Sequence, residues 1–91
     1  MITQEKTIRN YRDLEVWQKS IELVKRIYLI TKSFPTDETY GLINQMRRAA
    51  VSIASNIAEG KTRQTKGEYI QFLYITLGSI AELETQIVIS R

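Results

Sequence analysis

Apolar residues recur at spacings of three and four through most of this chain, which is the period of a helix packed on one side. Between residues 11 and 33 there is no Gly or Pro, and two apolar seams run in parallel. Leu14, Trp17, Ile21, Val24 and Tyr28 form one seam; Val16, Leu23, Ile27, Ile30 and Phe34 form the other. At 100° per residue the two centres lie roughly 120° apart, so together they cover about half the circumference. Two arrangements satisfy this pattern. The helix is wedged between two neighbours of one subunit, or one seam faces the subunit core and the other a second subunit. Glu15, Lys19, Glu22, Lys25 and Arg26 fill the remaining, solvated face.

Phe34-Pro35 ends the first helix, because the residue before Pro is pushed out of the helical region. Thr36 is placed to cap a second helix over about 37–59, with Asp37 and Glu38 in its first turn. Its apolar seam is Ile43, Met46, Ala50, Ile53 and Ile57. Ala49, Ala50, Ala54 and Ala58 thin it, so a neighbour can approach closely. Gly60 stands where a left-handed C′ residue is expected. Arg48, Ser52, Ser55, Asn56 and Glu59 share one flank. That flank is either solvent-exposed or a polar seam between helices; Ser and Asn inside a helix need such a reason. Arg47 sits at the edge of the apolar arc, its stem running along the core.

Thr65-Lys66-Gly67-Glu68 reads as a capping box that opens a third helix, over about 66–90. Its expected core face is Tyr69, Ile70, Phe72, Leu73, Leu77, Ile80, Leu83, Ile87 and Val88. Glu84 falls inside that arc and calls for a partner such as Arg47 or Arg48. Ile75, Gly78 and Ile89 lie off the face and hint at a further packing surface. The fold expectation is therefore all-α: an antiparallel up-down helical bundle in one domain over 1–91, with three long helices whose apolar surface exceeds what three can cover.

Composition narrows the chemistry. With no Cys there is no disulfide or thiolate, which suits a reducing cytoplasm. With no His the commonest general base and metal ligand is missing, and no paired-carboxylate motif takes its place. The expectation is a non-enzymatic protein with no cofactor and no metal. No uninterrupted apolar run approaches ~20 residues, so neither a membrane span nor a membrane partner is expected. The net charge is +3. Lys61, Arg63 and Lys66 make the second connection basic, beside Tyr69 as a stacking surface. With Arg47 and Arg48 they are the candidate nucleic-acid-binding residues, against the plainer reading of a solvated connection. The alternative function is a structural assembly module without nucleic acid.

Several blocks carry a family resemblance: Leu14, Val16 and Trp17; Phe34-Pro35; Glu38, Tyr40, Gly41 and Leu42; Gln45, Arg47, Arg48, Ala49 and Ala50; Ser52-Ile53; Asn56-Ile57-Ala58-Glu59-Gly60; and Gly78, Ser79 and Glu82. Together they resemble the four-helix-bundle proteins encoded in intervening sequences of bacterial 23S rRNA genes. That family is similar in fold to accessory proteins of diversity-generating retroelements. The resemblance implies an antiparallel bundle assembled into a homo-oligomeric ring, typically a pentamer. For the retroelement relatives it implies a basic surface that engages nucleic acid and a reverse transcriptase. The family's fourth helix is expected to be absent here, since the pattern stops where it would start.

Overall fold

A computed structural model describes residues 10–35 and 39–91. The expected N-cap at Thr36, with Asp37 and Glu38, lies outside the described residues. A single 3-10 turn, Tyr11–Asp13, leads into α1, Glu15–Thr31. The Asn10 side chain caps that turn by accepting from the Arg12 N–H at 2.8 Å. This divides the stretch expected as one helix from residue 11, because Leu14 is extended at its junction. A π turn, Thr39–Ile43, runs into α2, Asn44–Lys61. The third helix, α3, spans Lys66–Ile89. The Glu68 N–H donates to Thr65 Oγ1 at 3.1 Å, which is the N-cap bond of the expected capping box.

The chain is all-α, and α2 is its centre. Both α1 and α3 pack on α2, and have no comparable contact with each other. Among the described residues, α2 and the turn before it supply every buried apolar side chain except Ile27 of α1 and Leu83 of α3. The expected seam of Ile43, Met46, Ala50, Ile53 and Ile57 is buried throughout, and Ala49 and Ala54 with it.

Gly60 does not end α2. The helix continues through Lys61, and no described glycine has positive φ. Its role is close approach: a Cβ built at Gly60 would lie 2.6 Å from Phe72 Cβ and 3.2 Å from Tyr69 Cδ1.

On α1 the buried stripe falls between the two expected seams. Ser20, Ile27 and Thr31 are buried, and Trp17, Ile21, Leu23 and Val24 are half-buried. The outer members, Val16, Tyr28 and Ile30, stay exposed, as does Leu29. Ser20 and Thr31 enter the interface at little cost because each hydroxyl donates to its own helix, to Trp17 O and Ile27 O.

The largest correction concerns α3. The residues turned to α2 are half-buried Tyr69 and Phe72, then Thr76, Ser79, Leu83 and Gln86, at alternating spacings of three and four. Of the expected core face, Ile70, Leu77, Ile80, Ile87 and Val88 are exposed. Glu84 is exposed too, so it takes no core partner. Small hydroxyl side chains permit the close helix contact, and they find partners within it. The Ser52 and Ser79 hydroxyls share a 2.9 Å hydrogen bond, and Asn56 Nδ2 donates to Ser52 Oγ at 2.9 Å. The polar flank of α2 is thus divided: Ser52 and Asn56 form a seam with α3, while Arg48, Ser55 and Glu59 face solvent.

By length and composition, α3 is apolar enough to cross a membrane. The core helix of a soluble protein passes the same test. The helix mixes its apolar residues with uncharged Ser, Thr and Gln and few charges, which leaves its average apolarity high.

Candidate nucleic-acid interface

The five candidate cations fall into two groups. Arg47 and Arg48 stand in the first half of α2, and Lys61, Arg63 and Lys66 surround its end. Fourteen residues of helix separate Arg47 from Lys61, roughly 21 Å at 1.5 Å per residue. The fold therefore does not bring the five together.

At the α2–α3 connection two of the three cations are engaged by the protein. Arg63 Nη2 lies 2.7 Å from Glu59 Oε2, and its guanidinium carbon is 4.7 Å from the Phe72 ring centre. Lys61 Nζ sits 5.7 Å from the Tyr69 ring centre. Tyr69, expected as a free stacking surface, is half-buried under that cation. Lys66 is exposed in the first turn of α3, where the positive helix end disfavours a cation. Glu68 lines the same shallow cleft as Arg63. The connection carries three cations, but carboxylates stand among them.

The other group is built differently. The antiparallel α1–α2 pair sets the end of α1 beside the start of α2. Arg47 Nε donates to Thr31 Oγ1 at 2.9 Å, and Nη2 to Tyr28 O at 3.4 Å. Its guanidinium carbon lies 4.5 Å from the Tyr28 ring centre, a cation–π contact. Tyr28 O is among the last carbonyls of α1 and also accepts from the Thr31 hydroxyl at 3.3 Å. Arg47 adds a second donor to it and complements the negative helix end. The residue is half-buried there.

Next to it, Tyr28, Asn44, Arg47, Arg48, Val51 and Ser52 line a cleft of about 670 Å³. Among the described residues, no carboxylate belongs to that lining. Lys25 and Lys32 follow from helical spacing, one turn before and one turn after Tyr28. Sequence reasoning found Arg47 and Arg48 here but missed Tyr28, Asn44 and Val51. In the sequence Tyr28 is a seam residue only, and its pairing with α2 depends on how the two helices are aligned.

The family description "23S rRNA-intervening sequence protein" matches residues 12–91. The chain belongs to the 23S rRNA-intervening sequence protein family. The match takes in all three helices and both cation groups of this intervening-sequence protein. No curated protein sequence matches the chain significantly.

In this family member Arg47 carries a structural load that Arg48 does not. Arg47→Met keeps the apolar stem and removes the guanidinium. It is expected to cost about 1–2 kcal/mol, from one to two hydrogen bonds and a partly exposed cation–π contact. Arg48→Gln is expected to change stability by less than about 0.5 kcal/mol, since its side chain is exposed. Urea midpoints of the two variants check the contrast.

Proposed function

We propose that this intervening-sequence protein is a non-enzymatic, cytoplasmic module that assembles with copies of itself through α3 and binds RNA or DNA through its basic α1–α2 face. The observation that carries the assembly reading is the exposed apolar side of α3. Leu77 and Val88 are 59% and 60% exposed, with Ile80 and Ile87 between them on the same side. Soluble monomers seldom leave contiguous apolar patches of more than a few hundred Å² uncovered. Exposed Glu82 and Glu84 lie along this stretch of helix. A bilayer would penalise those carboxylates, whereas a protein interface can place them at its rim. The family resemblance implies a pentamer, and a ring would multiply a weak basic patch by the number of subunits. The nucleic-acid part of the reading is motivated by what the sequence resemblance implies, a fold similar to that of accessory proteins of retroelements.

Two measurements test it. Native mass spectrometry is expected to give an oligomer for the wild type and a helical monomer for Leu77→Glu/Val88→Glu. A wild-type monomer at micromolar concentration overturns the assembly reading. Filter binding to RNA and DNA is expected to fall steeply with salt, as phosphate contacts require. Assembly without any salt-dependent binding supports the purely structural module.

A further inference from the structure

We infer that the α1–α2 cleft is a nucleotide subsite for single-stranded nucleic acid, with one phosphate held by Arg47, Arg48 and Asn44 and its base laid against Val51 and the open side of Tyr28. This rests on the nucleic-acid reading above and adds to it which residues bind and what they take. The argument begins with Arg47. Its bonds to Thr31 Oγ1 and Tyr28 O hold the guanidinium in place before any ligand arrives. Little side-chain freedom is lost when the remaining N–H groups meet an oxyanion. Arg48 stands beside it, exposed and, among the described residues, joined to no carboxylate by an ion pair, although it also borders a neighbouring cleft that Glu82 lines. The Asn44 amide, also exposed, adds a neutral donor to the same cleft.

The rest of the lining says more than phosphate. Tyr28 and Val51 are 41% and 40% exposed, and both line the cavity that holds the two guanidiniums. An anion alone makes no use of an exposed phenol ring and an isopropyl group. A nucleotide uses both, because its base offers an apolar π-face one sugar away from its phosphate. The volume of about 670 Å³ is within the range of small-ligand clefts. Single strands are favoured because a duplex keeps its base faces stacked inside. No arrangement of donors here matches a base edge, so recognition is by phosphate and stacking and is tolerant of sequence.

The test uses the full chain and a fluorescently labelled ten-residue oligouridylate, read by anisotropy across a salt series. Arg48→Gln and Val51→Asp alter exposed positions and are first checked for helicity and oligomer mass. Arg48→Gln is expected to bind about three- to tenfold more weakly, with the salt slope reduced by roughly 0.7, the value of one phosphate contact on a single strand. Val51→Asp places a carboxylate among the phosphate ligands and is expected to weaken binding more than about tenfold. The triple variant Lys61→Gln/Arg63→Gln/Lys66→Gln is expected to bind nearly as the wild type does. If the wild type binds and Arg48→Gln keeps its affinity and slope, the subsite is wrong while the nucleic-acid reading stands. If the wild type does not bind the oligonucleotide, both fall. Displacement by polyglutamate at lower charge concentration than by unlabelled oligouridylate assigns the cleft to acidic polypeptides and overturns the inference.

Discussion

Ile57→Ala is expected to destabilise the protein by about 2–5 kcal/mol, enough to leave much of a marginally stable domain unfolded at 37 °C. Ile57 is 1% exposed and belongs to the cluster joining all three helices, with Met46, Ala50, Ile53, Ile27 and Leu83. Removing its side chain loses the transfer free energy of three carbons. It also leaves a cavity, because the surrounding helices relax only in part. The informative comparison is Ile80→Ala. Hydrophobic periodicity puts Ile80 on the core face of α3, yet it is 37% exposed. In the monomeric background of Leu77→Glu/Val88→Glu, Ile80→Ala is expected to cost under about 1 kcal/mol. Urea unfolding followed by circular dichroism measures both. Equal large losses at Ile57 and Ile80 would mean that α3 turns its apolar side to the core and that its orientation here is wrong.

A second large effect is expected at Gly60, with a sign opposite to that of helix propensity. In a helix interior, Gly→Ala ordinarily stabilises by up to ~1 kcal/mol. At Gly60 the new methyl would meet Phe72 Cβ at 2.6 Å. That atom is bonded to the α3 backbone and cannot swing aside, so the helices must part. Such overpacking costs typically ~1–3 kcal/mol, which exceeds the propensity gain. The expected net result for Gly60→Ala is a loss of about 1–2 kcal/mol, and Gly60→Val should lose more. Gly78 supplies the control, because nothing lies within 4 Å of a Cβ built there. In the same monomeric background, Gly78→Ala is expected to gain up to ~1 kcal/mol. Thermal melts of the two Ala variants should therefore move in opposite directions. A gain at Gly60 would show that α2 and α3 cross less closely than the structure has them.

These variants mark the boundary between what could be read from the chain and what could not. Three helices, their connections and the seam of α2 were legible. Helix formation follows local spacing, and the seam of α2 meets neighbours on both sides, so any packing buries it. The Thr65 cap and the stop at Phe34-Pro35 are likewise local. Arg47 at the core edge was legible from its place beside Ile43 and Ala54.

The facing of α3 was decided only in three dimensions. Its apolar residues occupy more of the circumference than one neighbour covers, so periodicity alone could not say which side meets α2. The choice went to Thr76 and Ser79, with Gln86 buried one turn beyond Leu83, because small hydroxyl side chains let α3 settle against the Ser52 and Ala49 side of α2 and Ser52 pairs with Ser79 at 2.9 Å. That choice leaves Leu77, Ile80, Ile87 and Val88 uncovered and takes Glu84 out of the core. Gly60 changed meaning for the same reason: a glycine near a helix end signals a cap, but here the space is taken by Phe72 from another helix. The candidate interface was divided in the same way. Spacing in sequence counts Lys61, Arg63 and Lys66 as one basic cluster, but it does not show Glu59 and the aromatic rings that occupy two of them. The sequence alone determined which residues are cations and that they ride on helices. The alignment of α1 with α2 decided which cations share a cleft with Tyr28 that no described carboxylate lines, because contacts between distant residues depend on how whole helices pack.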